Sequence, residues 1–328
     1  MYNIENIKSI HLEITSKCQA KCPMCPRRLQ GGPLMPWIDL TEITVNKFKE
    51  WVPINFIKKL QNLNMCGNLG DPIIAKDTVE IYKYLRKNNS KMNLQMHTNG
   101  SARNKKFWED LAKLDVIVVF GIDGLEDTHS KYRIGTDFNK IIDNAKVFIN
   151  AGGNARWDML VFDHNKHQTE ECEKLAYELG FKKFQKKNSS RFKDGKYHVL
   201  NENGKTVDIL YPTEKSKEFI ERVKEAENET PTINCKSKNL SEIYVAANGI
   251  VSPCCWLDMD WMSPVSYSRI DYIDKIGMFP NLNNKTLEDI FDSGYFNKIE
   301  STWNTESCLK ECSKQCGKFD KLGAQFES

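Results

Sequence analysis

The chain has 328 residues, 47 of them basic and 44 acidic, for a formal charge of +3. That length points to about two domains, and the near balance of charge, with lysines scattered along the chain, excludes a dedicated polyanion-binding surface. No run approaches the ~18 apolar residues of a membrane span. The start, Met1-Tyr2-Asn3-Ile4-Glu5-Asn6, also lacks the features of a signal peptide. A cytoplasmic protein with no nucleic-acid or membrane partner is expected.

Six segments read as buried parallel strands: Ser9–Thr15, Gln61–Cys66, Met92–His97, Val116–Ile122, Trp157–Phe162 and Lys183–Lys187. Between them, Val45–Trp51, Asp77–Lys87, Asn104–Leu114, Asn139–Asn150 and His167–Leu179 carry apolar residues at helical spacing, the last closing on Gly180. Strand and helix alternating in this way predict a parallel sheet, either doubly wound or bent into a barrel. Polar and glycine residues gather after the strand ends, in Gly67-Asn68-Leu69-Gly70-Asp71-Pro72, Thr98-Asn99-Gly100 and Asp123-Gly124. In parallel α/β proteins that edge is where ligands bind.

Residues 188–212 contain few apolar positions and mark a boundary. A charged helix over Glu214–Ala226 leads into a different region. There Ile243–Ala246, Asn248-Gly249 and Ile250-Val251 read as a hairpin with an Asn-Gly turn. Thr286–Phe291 reads as a short helix opened by a Thr-Leu-Glu-Asp box.

Eleven cysteines in a reducing compartment point to metal ligands rather than disulfides. Cys18, Cys22 and Cys25 follow the strand-like alternation of Ile10, Leu12 and Ile14 in the order Cys-x3-Cys-x2-Cys. Three thiolates on one loop can hold three corners of an iron–sulfur cube and leave the fourth iron open to react. Structural zinc takes four protein ligands, and no nearby histidine or fourth cysteine completes this loop. Six more cysteines lie between Cys235 and Cys316. Cys66 and Cys172 stand alone and read as small core residues. Arg27 and Arg28 read as surface charge.

With its place after a first strand, the thiol loop resembles the signature of the radical S-adenosylmethionine (SAM) superfamily, with Met24 where that family usually has an aromatic residue. Leu69-Gly70-Asp71-Pro72 is similar to the family's Gly-Gly-Glu-Pro, and His97-Thr98-Asn99-Gly100 to its Thr-Asn-Gly. Gly121-Ile122-Asp123-Gly124, followed by His129 and Arg133, looks like its Ser-Ile-Asp-Gly…His…Arg segment, with Gly121 in place of serine. The resemblance implies that Gly70, Asp71, Thr98, Asn99, Asp123, Arg133 and Asn165 lie about bound SAM. A surface salt bridge is the other reading for Arg133.

Cys235, thirteen residues, Gly249, four residues and Cys254 resemble the opening half of the SPASM or twitch auxiliary domain. Cys308, Cys312 and Cys316 recur at spacing four, which on a helix stacks three thiols on one face. The six cysteines here, including Cys255, against seven in a full SPASM domain favour one auxiliary cluster. Its expected ligands are Cys235, Cys254 and two of the late three, with zinc as the alternative. Trp256 and Trp261 read as aromatic packing over that cluster, with lining of a substrate pocket as the alternative.

The resemblance therefore implies an α/β partial (β/α)6 TIM-type barrel over residues 1–210 and a small α+β auxiliary-cluster domain over 211–328. Its cofactors would be a SAM-ligating 4Fe-4S cluster, an auxiliary 4Fe-4S cluster and SAM. An external one-electron donor such as flavodoxin or ferredoxin would reduce it. The activity implied is SAM cleavage to a 5′-deoxyadenosyl radical and hydrogen abstraction from a substrate. A first strand near residue 9 leaves no room for a preceding leader-binding domain, which favours a sugar- or nucleoside-type metabolite over a peptide. A noncatalytic iron–sulfur or zinc scaffold is the alternative of a different class.

Overall fold

Alternate residues along a strand face opposite sides of the sheet, so burial periodicity shows how each strand is oriented. The computed structural model describes residues 2–189, 191–192, 194–226 and 232–318. Its first six strands are β1 (Ser9–Leu12), β2 (Asn62–Met65), β3 (Asn93–Thr98), β4 (Val116–Gly121), β5 (Asn154–Val161) and β6 (Lys183–Asn188). They pair in chain order, and every pair is parallel. A doubly wound sheet reverses its order at a switch point. The unbroken order found here is that of a barrel left open at one side.

Leu63, Met65, Leu94, Met96, Val118, Phe120, Trp157 and Met159 form the buried face of the sheet. Helices α1 (Val45–Trp51), α2 (Ile54–Lys59), α3 (Thr78–Asn88), α4 (Lys105–Ala112), α5 (Glu126–Tyr132), α6 (Phe138–Asn150) and α7 (Thr169–Glu178) alternate with the strands. Their apolar residues, among them Phe48, Ile81, Trp108, Phe148 and Ala176, complete that core. Side-chain caps start several of these helices: Thr44, Asn104 and Asp137 each accept a hydrogen bond from the third helical N–H. The short α2 and α5 carry too few apolar turns to stand out in the sequence.

The opposite face carries His11, Asn64, Gln95, His97, Asp158 and Lys187, and Lys187 pairs with Asp158 at 2.5 Å. Cys66 belongs to this polar face. The sequence assigns it to the core, but it continues the Asn62–Asn64 alternation, is only half-buried, and its carbonyl accepts from the His11 ring. Cys172, by contrast, is fully buried in the core.

The remaining strands are β7 (Tyr197–Leu200), β8 (Thr206–Leu210), β9 (Thr232–Ile233), β10 (Glu242–Val245), β11 (Val251–Ser252) and β12 (Gly317–Lys318). The remaining helices are α8 (Glu214–Ala226), α9 (Lys236–Asn239), α10 (Tyr267–Lys275), α11 (Leu287–Asp292), α12 (Tyr295–Glu300) and α13 (Lys310–Cys316). The stretch expected as a plain boundary, 188–212, contains the antiparallel β7–β8 hairpin. Its buried Val199 and Leu210 are too far apart in sequence to reveal a period.

The expected Asn248-Gly249 turn is present. Gly249 has a φ of +92°, and Ala246 N–H donates to the Ile250 carbonyl at 2.9 Å. β10 also pairs in parallel with β1, Ile10 opposite Ile243. The carboxyl-side hairpin therefore extends the barrel sheet to eight strands. α11 opens on the expected capping box, Thr286 with Asp289. Among the described residues no helix is long and apolar enough to cross a membrane.

Candidate functional site

After β1 the chain crosses the carboxyl edge of the sheet and is tied down before its first thiol. The Ser16 hydroxyl donates to the Asp39 carbonyl at 2.7 Å and accepts from Thr41 N–H at 2.7 Å. Thr15 bridges Glu42. On the loop that follows, Ala20 N–H and Asn99 Nδ2 point to Cys18 Sγ at 3.4 and 3.5 Å. Cys25 N–H donates to the Cys22 carbonyl at 3.0 Å.

All three thiols pack against the cluster formed by Tyr132, Phe162, Phe192, Val199 and Leu210. Burial pushes the Cys22 thiol up to about 11 and raises Cys18 further; Cys22 adds to the rise at Cys18, and Cys25 to that at Cys22. A buried thiolate needs a cationic partner, which metal coordination supplies. The loop's donors are sulfur alone, on three residues of one loop, and this set fits three irons of a cube. A single ion needs its donors gathered about one point, and among the described residues no three His, Cys, Asp or Glu side chains are so gathered.

Arg27 corrects the sequence reading. Instead of lying on the surface it is 4% exposed, and its Nη2 donates to the Ala20 carbonyl at 2.6 Å. The guanidinium bonds an inward-facing carbonyl of the thiol loop. Arg28 is half-buried and pairs with the exposed Glu202 at 3.0 Å. Met24 packs inward, its sulfur accepting from the Ser189 hydroxyl at 3.3 Å.

The Gly67–Pro72 loop is held by Glu13, which the sequence reading missed. Glu13 is buried and accepts from Leu69 and Gly70 N–H at 2.8 and 2.9 Å and from the Tyr244 hydroxyl. Burial still pushes its carboxyl up, against those donors. An acid between Leu12 and Ile14 at the end of an apolar strand was the available signal, since a buried carboxylate persists only where donors await it.

Gly70 is in turn pressed on the first strand's extension: a Cβ there would stand 1.6 Å from the Thr15 carbonyl oxygen. Asp71, next along, accepts from the Thr98 hydroxyl at 2.8 Å, Asn99 N–H at 2.7 Å and Asn99 Nδ2 at 2.6 Å. Gly70, Asp71, Thr98 and Asn99 therefore form one connected edge, and Asn99 joins it to the Cys18 sulfur.

Arg133, half-buried, pairs with the fully buried Asp123, Arg133 Nε to Asp123 Oδ2 at 2.6 Å. The salt bridge considered for Arg133 exists, but with a buried partner. Burial raises the Asp123 carboxyl while Arg133 pulls it back, and Asp123 Oδ1 accepts from Leu160 N–H at 2.6 Å. Arg133 also faces Cys22 and lowers its thiol.

Gly121 explains how the guanidinium fits: a Cβ at that position would lie 2.7 Å from Arg133 Nη2. His129 accepts from Asp123 N–H at 3.1 Å through Nδ1. Asn165 is fully buried and bonds Phe162 N–H and the Asp123 and Leu160 carbonyls at 2.8, 3.2 and 3.0 Å. Its amide orders the turn after β5 and stands behind Asp123.

The second thiol group is assembled from three places. β9 pairs with β12, Ile233 opposite Gly317, which sets Cys235 beside Cys316. The two thiols share a hydrogen bond that lowers Cys235 and raises Cys316. Cys254, at the end of the hairpin, is pushed up to about 12 by burial and then by Cys235.

Cys312 on α13 is raised by burial and by Cys254, Cys308 and Cys235. Cys308 precedes α13 rather than sharing its face, and its charged neighbours are Lys275 and Asp271. This second set is likewise all sulfur and buried, and fits an iron–sulfur cluster by its donor chemistry. Trp261 follows the alternative reading: it lines a cavity at the barrel mouth with Trp37.

Residues 12–176 match the model of the radical SAM superfamily, and residues 235–317 match SPASM, an iron–sulfur cluster-binding domain. Among solved structures the fold is similar to Streptococcus suis SuiB bound to S-adenosylmethionine. That match has 17% identity, 89% of this chain on 67% of that one, and a TM-score of 0.59. It is also similar to anSMEcpe with bound AdoMet and Cp18Cys peptide, at 17% identity, 94% of this chain on 88% of that one and a TM-score of 0.57. The first match spans half the chain and includes the thiol loop, strands β2 to β5 and the Asp123 segment. This chain belongs to the radical SAM superfamily and carries a SPASM iron–sulfur domain on its carboxyl side.

Proposed function

We propose that the enzyme abstracts hydrogen from a carbon of a small metabolite at the barrel mouth, giving oxidation, epimerisation or another rearrangement. When bound, the 4Fe-4S cluster and SAM supply the chemistry: one-electron cleavage of the sulfonium to a 5′-deoxyadenosyl radical. Cys18, Cys22 and Cys25 would hold the cluster. Gly70, Asp71, Thr98 and Asn99 would line the SAM site, with Asp123, Arg133 and Asn165 ordering its far side. An external donor of the flavodoxin or ferredoxin type would supply the electron.

One observation carries this reading. Asn99 lies 2.6 Å from Asp71 and 3.5 Å from the Cys18 sulfur, so the loops after β1, β2 and β3 meet at one point. Cys235, Cys254, Cys312 and Cys316 would hold a single auxiliary cluster to take up the electron left on an oxidised substrate. The small-metabolite reading is supported by a cavity of about 180 Å³ at this edge, which suits a small polar group. Peptide modification is the second reading, favoured by the peptides bound to SuiB and anSMEcpe in their structures.

The test is anaerobic. Reconstituted protein with SAM and a strong reductant should form 5′-deoxyadenosine, and the Cys18→Ala, Cys22→Ala, Cys25→Ala triple variant should form none. Robust product from that variant would overturn the proposal.

A further inference from the structure

We infer that the cavity between the carboxyl ends of β1 and β10 and the 258–269 segment binds the ammonium group of the substrate. This rests on the reading that the substrate is presented at the barrel mouth. Four carboxylates line the cavity, Glu13, Asp39, Asp258 and Asp260, and Arg269 is the one cation among the lining residues. Two of the acids are already engaged: Glu13 holds the Gly67–Pro72 loop, and Asp260 accepts from Asn248 Nδ2 at 3.0 Å and pairs with Arg269 at 3.5 Å. Arg269 is further committed to the Met259 carbonyl at 2.6 Å.

Asp258 is engaged only in part. It is 3% exposed, and although its carboxyl has the Tyr244 hydroxyl and the Asp260 N–H as neighbours, its Oδ1 has no hydrogen-bond partner among the described residues. A buried carboxylate oxygen without a donor is costly, so such groups mark places where a donor arrives from outside.

The rest of the wall narrows the class of that donor. Trp37 and Trp261 line the same cavity, and Trp37 Nε1 donates to the Trp261 carbonyl at 3.3 Å, which fixes the two relative to each other. Indole faces attract cations. A second carboxylate, Asp39, is exposed at the rim. Excess negative charge disfavours a phosphate or carboxylate. No three acidic or thiol side chains among the described residues are gathered for one metal ion. Burial, then Glu13 and Asp260, push the Asp258 carboxyl up to about 8. An alcohol could donate one hydrogen bond but brings no charge to ionise that carboxyl, whereas a primary ammonium brings three donors and the opposite charge.

The ammonium could belong to a small amine or to a lysine of a peptide, and binding distinguishes them. Cluster-loaded holoenzyme is titrated anaerobically by calorimetry with n-butylammonium, 1-butanol, butyrate and the peptide Gly-Lys-Gly. Saturable binding of n-butylammonium, with 1-butanol and butyrate inert, is expected, and Asp258→Asn should weaken it by about tenfold or more. Asp39→Asn, at an exposed position, serves as a second variant that leaves the fold undisturbed, and should weaken binding several-fold.

A peptide that binds as well as the small amine and is equally sensitive to Asp258→Asn assigns the site to a lysine. Amine binding without peptide binding assigns it to a metabolite. Equal binding of amine and alcohol, or amine binding indifferent to both substitutions in protein of full iron content, overturns the inference. The titration needs neither SAM nor reductant, so its failure alongside normal 5′-deoxyadenosine formation would remove the ammonium site and leave the proposed reaction standing.

Discussion

Gly70 and Thr15 are in backbone contact so close that no side chain fits between them: a methyl carbon on Gly70 would lie 1.6 Å from the Thr15 carbonyl oxygen. Neither backbone can yield alone, because Gly70 N–H is held by Glu13 and Thr15 is bridged to Glu42. Gly70→Ala should therefore cost about 3 kcal/mol, the upper end for overpacking. It should also abolish SAM binding, because Asp71 moves with its neighbour. Denaturant unfolding and equilibrium dialysis with labelled SAM measure the two effects.

Iron content distinguishes the late cysteines. One SAM-site cluster and one auxiliary cluster give about eight irons per chain. Cys312→Ala should reduce the count to about four, because Cys312 faces Cys254 and Cys235, while Cys308→Ala should leave about eight. Equal loss in both variants would place Cys308 among the ligands.

Gly121 makes room for Arg133, the cation that faces Cys22. A Cβ at 121 would stand 2.7 Å from Arg133 Nη2, the far end of a flexible side chain. Gly121→Ala should thus cost only about 1 kcal/mol. Moving the guanidinium relative to the thiol loop should nevertheless shift the SAM-site cluster's reduction potential downward, since a nearby positive charge favours the reduced state. Spectroelectrochemistry of the reconstituted variant measures that shift.

Glu242, on the same strand face as Tyr244, is pushed up by burial from 4.5 to about 7. A raised carboxyl binds its proton more tightly in the folded chain. Its contribution is fully present below the unfolded value and is lost as pH rises toward 7. Glu242→Gln should therefore gain up to about 3 kcal/mol at pH 8, little at pH 4, and should flatten the stability profile between them. Unfolding midpoints across that range test the sign.

Much of the barrel was legible because its signals are local. The buried alternation of Leu94 and Met96 or Val118 and Phe120 marks strands, and the polar loops follow their ends. The thiol loop and the Thr98-Asn99 segment were legible for the same reason: each is a run of adjacent residues. The pairing of β10 with β1 was not, because it joins residues more than two hundred positions apart and leaves no mark in either stretch alone.

Glu13 escaped notice because one acid in an apolar run has no pattern, and its partners, Gly70 and Tyr244, lie on other elements. Arg27 misled because arginine beside arginine usually faces solvent, whereas its donor is required here by the Ala20 carbonyl. Asp258 and Trp261 belong to a cavity whose wall is drawn from both ends of the chain, and no window of sequence contains it.

The parallel pairing of β1 with β10 has a consequence for how the protein is made. As the chain emerges from the ribosome, β1 gains β2 early, but its other edge remains unpaired until residue 245 has been synthesised. Such long-range closure is slow, and an exposed edge invites association with other chains. The strand that waits is the one from which the Cys18 loop hangs. The sheet edge that supports the first thiol loop is thus complete only after the carboxyl-side hairpin has been made, although the two lie more than two hundred residues apart.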